Sequence, residues 1–269
     1  MGSAGRPYES GLPRNGLPVL AAGRTLLGAT MRTIVGSVLL FAFLVAPGTT
    51  DAQSRQALAD AARAFDESAL RAEDNSAKPM PVRKWMAPVR LSFANRSAAP
   101  GLVEPSRQAI KTIAAQASIA LVDLADGDSS ANFVVYFDEN GLNGRSGYCF
   151  GSARWDKAKV ITRGELRLNP TRIRDFDRCA IHEPMHSFGF LSHPHAAESV
   201  LSYVFKGQRE LTELDRHLIR TLYDPQLRPG TPAPVASQTA CRILAKWLNT
   251  STGDADAVCS ARTGPIVAN

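Results

Sequence analysis

Four of the five histidines in this 269-residue chain fall close together, at His182, His186, His193 and His195 in the string HEPMHSFGFLSHPH. The first five residues match H-E-x-x-H. Two imidazoles four residues apart on a helix share a face and can offer nitrogens to one ion, Zn2+ by donor type, while the glutamate between them, Glu183, reaches water beside that ion. Gly189 lets the chain leave the helix in a tight left-handed turn. His193 can then swing back as a third nitrogen donor, with His195 in reserve. Three neutral imidazoles leave one position of a tetrahedral ion open, as in sites that activate water rather than sites that only brace a fold.

The blander account of H-E-x-x-H is polar residues on the surface of a helix, and Pro184 bears on the choice. In a helix interior it removes the bond to the carbonyl of Ala180, at a cost of about 3 kcal/mol, but leaves the bond from residue 186 to residue 182 intact. The expectation is a kink on the N-terminal side with both histidines still on one face. Were the helix to begin at Pro184 instead, His182 would lie off it and the site would be lost.

The elements that must position these side chains are legible from periodicity. Val89 to Asn95 alternates as a half-buried strand, and Asn132 to Phe137 reads as a buried one. Tyr148 to Trp155 and Lys159 to Leu168 read as two more strands joined through Asp156 and Lys157, after a Gly-rich loop from Gly141 to Gly147. Between the first two strands a helix is expected from near Pro105 to about Leu124, with Ile110, Ile113, Ala114, Ala117 and Leu121 at helical spacing. The histidine-bearing helix should run from near Asp175 to Phe188. A further helix, capped by Thr212, carries Leu214, Leu218, Ile219 and Leu222 on one side. Asp215 reads as an ordinary carboxylate in the first turn or as a tie to the histidine region. His217 receives no role. Residues 54 to 72 suit an amphipathic helix with Leu58, Ala61, Phe65 and Leu70 near one face.

The string HEPMHSFGFLSH resembles the signature of the metzincin zinc peptidases, in which H-E-x-x-H is followed by a glycine and then a third zinc ligand. SVLSY, from Ser199 to Tyr203, is similar to that clan's Met-turn, and LTELDRHLIRTLYDP, from Leu211 to Pro225, to its C-terminal helix. Within the clan the pattern is most similar to a bacterial exported family described as a domain of unknown function. The resemblance spans roughly residues 85 to 230. It implies an α+β fold with a twisted mixed sheet, a backing helix, an active-site helix and a C-terminal helix. It implies zinc held by His182, His186 and His193, Glu183 as general base, and Tyr203 stabilising the oxyanion. The pattern departs in placing Ser192 where the third ligand belongs, so that His193 comes one residue late, and in having Leu201 at the Met-turn methionine. Leucine fills a similar volume.

Composition bounds the remaining readings. The net charge is +6, but no Lys/Arg block with interleaved aromatics appears, which speaks against nucleic acid as a partner. Thr33 to Ala46 is apolar, follows Arg24 and Arg32, and precedes Pro47 and Gly48. That is a secretory h-region with its basic flank, shorter than the roughly 20 residues a membrane span needs. Cleavage is expected after Ala52, and Met31 would begin a more typical signal, leaving residues 1 to 30 as a doubtful start. The expected organisation is an export segment over 1–52, a helical extension or pro-segment over 53–84, a catalytic domain over 85–230 and a Pro-rich linker with a disulfide-tied tail over 231–269. In an oxidising compartment the four cysteines tend to pair. Cys241 with Cys259 closes a short loop, leaving Cys149 with Cys179; free or metal-binding thiols are the alternative, without a C-x-x-C in support. The expectation is a secreted or periplasmic zinc-dependent hydrolase acting on a peptide or protein substrate with no stable membrane span. The alternative is a non-catalytic secreted or envelope binding protein that keeps the same fold.

Overall fold

The computed structural model describes residues 48–72, 79–137, 149–171, 176–195, 197–204 and 207–263. The apolar stretch Thr33 to Ala46 and the loop from Gly141 to Gly147 lie outside them. Among the described residues no helix is long and apolar enough to cross a membrane.

The strands are β1 (Val89–Ala94), β2 (Leu121–Asp123), β3 (Phe133–Phe137), β4 (Cys149–Trp155) and β5 (Ile161–Leu168), in one sheet of order β2-β1-β3-β5-β4. The four strands from β2 to β5 run parallel, and β4 is added at the edge antiparallel to β5. The fold is thus α+β with a twisted, mostly parallel mixed sheet. Period-two alternation sets its faces. Phe133, Val135 and Phe137 of β3 are buried with Leu91 and Phe93 of β1 and Leu166 and Leu168 of β5. The intervening Tyr136, Glu165 and Arg167 keep a half-covered polar face, where the Arg167 guanidinium lies over the Tyr136 ring and pairs with Glu165.

The helices are α1 (Gly48–Ala69), α2 (Pro100–Gln116), α3 (Phe176–Ser187), α4 (Glu213–Tyr223), α5 (Ala233–Trp247) and α6 (Thr252–Ser260). Helix α2 differs from the sequence expectation at both ends. Proline stands at its first positions with Pro100, so Pro105 falls inside it, and Ser118 at φ 53° turns the chain out of the helix. Leu121 to Asp123 then pair with β1 as strand β2, because three backbone groups find partners on an open sheet edge there. A helical extension through Leu121 is therefore wrong.

Helix α3 runs through Pro184 without a break and packs against α2, β4 and β5. Gly189 follows at φ +105°, where a Cβ would stand 2.3 Å from the Arg83 carbonyl oxygen. The Trp85 indole N–H donates to the Ser187 carbonyl at 3.0 Å, satisfying one of the last acceptors of α3.

Helix α1 buries Leu58 and Phe65 and packs against α5 and α6, and Leu70, just past its end, is buried too. Its buried Asp66 accepts from Ser237 of α5 at 2.8 Å and pairs with Arg262 beyond α6. Burial raises the Asp66 carboxyl above the usual range despite the Arg262 guanidinium beside it. Cys241 and Cys259 are bonded and join α5 to α6, and Cys149 and Cys179 are bonded and join β4 to α3. No free cysteine stands among the described residues.

Candidate metal centre

Residues 182 and 186 lie one helical turn apart on α3, and both rings are buried. Each is oriented by a backbone carbonyl. His182 Nδ1 lies 2.8 Å from the Val200 oxygen, and His186 Nδ1 lies 2.6 Å from the Phe190 oxygen. A carbonyl oxygen only accepts, so each Nδ1 carries the proton and each Nε2 presents a bare lone pair. The turn at Gly189 returns the chain, and His193 brings its Nε2 to 3.2 Å from that of His182. The Nε2 atoms of His182 and His186 are also 3.2 Å apart.

Two neutral nitrogens facing each other without a proton repel. A proton is a poor remedy here: burial, reinforced by the neighbouring imidazole of His186, pushes His182 well below the ordinary histidine range and His193 down to about 3. A divalent ion would resolve the arrangement. Tetrahedral zinc at about 2.0–2.1 Å from each nitrogen demands nitrogen separations of about 3.3 Å, close to those observed. His182, His186 and His193 form the one cluster of three ligating side chains among the described residues, each with a ligand atom within 4.8 Å of the others. The donor set fits a metal ion of zinc's preferences.

His195, the reserve donor, stays apart. Its ring is exposed, and its backbone N–H donates to Glu67 of α1 at 2.9 Å. Three residues earlier, the Ser192 N–H donates to the Ser68 carbonyl at 3.0 Å. Helix α1 thus holds both flanks of His193.

Glu183 lies with Oε1 3.9 Å from His182 Nε2, while its Oε2 accepts from the Gly151 N–H of β4 at 2.7 Å. Glycine is required at 151 because a Cβ there would stand 1.9 Å from the Glu183 carbonyl oxygen. Strand and helix come close enough to share this bond only without a side chain. Gly151 drew no notice in the sequence, where a glycine inside a strand was the available signal.

Ser199 to Tyr203 pass beside the histidines. Val200 and Leu201 are fully buried, and the Tyr203 ring stacks on His193 with centroids 3.9 Å apart while remaining 56% exposed. Asp215 anchors this turn as well as capping α4. It accepts from the Ser199 hydroxyl at 2.5 Å, the Val200 N–H at 3.1 Å and the Thr212 N–H at 2.9 Å, and it closes a capping box with Thr212. Both readings of Asp215 therefore hold at once, and the carboxylate fixes the residue whose carbonyl orients His182. Burial raises its carboxyl above the usual range. His217 lies away from the cluster, 3.2 Å from Glu213 and stacked near Trp247.

A cluster of three imidazoles, two from a helix packed on an antiparallel edge strand and one from the chain just after it, followed by a buried turn and a C-terminal helix, is a metzincin-like arrangement, and it supports assignment as a probable zinc metallopeptidase. A family model described as "Protein of unknown function (DUF2927)" matches residues 58–239. No curated protein matches the chain. Among solved structures, the crystal structure of myroilysin is similar at 12% identity over 62% of this chain and 95% of that one, with a TM-score of 0.36.

Proposed function

Because the chain belongs to the family of proteins of unknown function DUF2927, its own site must supply the activity, and we propose that it is an exported zinc-dependent peptidase that hydrolyses peptide bonds with water as nucleophile. The observation that carries this reading is the meeting of three imidazole Nε2 atoms, those of His186 and His193 each 3.2 Å from that of His182, with a carboxylate 3.9 Å from His182. His182, His186 and His193 hold the ion. Zinc, when bound, polarises a scissile carbonyl and lowers the pKa of water toward about 7.

Everything else falls to the chain. Glu183, held by the Gly151 N–H, is the carboxylate beside the cluster that would take a proton from the attacking water and return it to the departing amine. No covalent intermediate is involved. Strand β4 is a sheet edge, and an extended peptide adds to it by backbone pairing, which lays its carbonyls along Glu183. The exposed Tyr203 side chain, stacked on the His193 ring, would swing off it to donate its hydroxyl to the developing oxyanion. On this reading residues 1–52 serve export, 85–230 carry the catalytic domain, and the protein works in the periplasm or outside the cell. Residues 53–84 form part of the scaffold, since α1 holds the flanks of His193.

Metal content and turnover test the proposal separately. Purified wild type should bind one zinc, His186→Ala and His193→Ala should bind none, and Glu183→Ala should bind zinc without cleaving a peptide library. Absence of zinc from wild type rejects the site. Zinc with no Glu183-dependent cleavage favours the non-catalytic binding protein instead.

A further inference from the structure

Arg178 lies one helical turn before His182 on α3, and therefore on the same face. Its guanidinium donates to the Ser202 carbonyl at 3.0 Å, the residue next to the Tyr203 ring that covers His193. The side chain is only half-buried, and among the described residues it has no acidic partner; the neighbouring Asp177 pairs with Arg209. A cation is thus fixed at the rim of a cluster that itself suits a cation. Like charges gathered in a partly desolvated cleft are unfavourable unless an anion completes them. Beside the guanidinium, Tyr203 and Val204 are 56% and 69% exposed, an apolar wall left open to solvent.

We infer that Arg178 is a specificity-determining residue that binds a carboxylate of the substrate, so that the preferred peptide carries a negative charge next to the bond aligned with Glu183. The planar fork of arginine pairs with carboxylate through two parallel bonds, and one side of the fork is already fixed by Ser202, which lowers the ordering cost of the remaining donors. Two sources share this chemistry: the free C-terminus of a peptide and an acidic side chain within one. This inference rests on the peptidase reading above, but its test does not need turnover.

Zinc-loaded Glu183→Gln protein is titrated calorimetrically with three probes: acetyl-trialanine with a free carboxylate, the same peptide as its C-terminal amide, and acetyl-Ala-Glu-Ala amide. At least one carboxylate-bearing probe should bind about tenfold or more tightly than the trialanine amide. Preference for the free acid identifies the C-terminus as the source, and preference for the glutamyl amide identifies a side chain. Arg178→Gln should remove the preference, and Arg178→Lys should restore part of it. Equal affinity for all three probes overturns the inference without recourse to any variant, as does a preference that survives in Arg178→Gln. Should the protein fail to cleave any peptide, the binding preference still stands or falls on these titrations.

Discussion

At the scale of single residues, the site depends on groups whose chemistry is simple and whose placement is not. Gly151 is the sharpest case. A methyl group there meets the Glu183 carbonyl at 1.9 Å, so Gly151→Ala must push β4 away from α3. Overpacking of this kind costs about 1–3 kcal/mol. The melting temperature should fall, and if peptides are cleaved, kcat should fall with it because Glu183 loses its fixed donor. An unchanged kcat in a folded Gly151→Ala protein would exclude that role. Asp215 offers a second case, since its carboxylate takes two bonds from the turn that orients His182 and a third from the Thr212 N–H at the start of α4. Asp215→Ala leaves buried donors unpaired, each at about 1–3 kcal/mol. Zinc affinity should drop in competition with a chelator although residue 215 touches no metal, and an unaltered affinity would limit Asp215 to capping α4.

Elements show what periodicity reveals and what it hides. The spacing of His182 and His186 made α3 and its loaded face legible, and Thr212 marked the start of α4, because helix faces and caps are local properties. Strand β2 was not legible. Leu121 continues the helical period of α2, and only the open edge of β1 turns those residues into a strand. The Val200 and Phe190 carbonyls that orient the histidines were equally hidden, because backbone groups carry no sequence signature. The linking stretch before β1 gives a test by pH. Lys84 is almost wholly buried, donates to the Asp224 carbonyl at 2.9 Å, and is pushed by burial down to about 8. Between about pH 8 and pH 10 the unfolded chain keeps this proton while the folded one sheds it, so stability should rise with pH there, by up to about 3 kcal/mol. Urea denaturation across that window should show the slope, and Lys84→Met should flatten it.

For the molecule as a whole, the two ends of the described chain matter more than the sequence implied. The tail after residue 231, expected as a small appendage, forms α5 and α6 and shares the core with α1. No helix was expected there, although Ala233, Ala236, Ala240, Ile243 and Leu244 recur at helical spacing and are buried in α5. Phe65 of α1 is fully buried, and Phe65→Ala should cost about 3–5 kcal/mol by leaving a cavity between these helices. Replacing both Cys149 and Cys179 by serine releases α3 from β4 across a separation of 30 residues, with an expected loss of about 3–4 kcal/mol in the chain-entropy account. Denaturation under matched conditions measures both; a Phe65→Ala protein as stable as wild type would show that α1 is dispensable.

The hydrogen bonds from α1 to the flanks of His193 also set an order of events during synthesis. Helix α1 is made early, yet the partners that fix it lie beyond residue 233, at Ser237 and Arg262. A nascent chain that already contains all three histidines still lacks the support that returns His193 to the other two. The histidine cluster is therefore expected to close only once α5 and α6 have been made, and a chain cut after residue 231 should fail to hold His193 beside the other two.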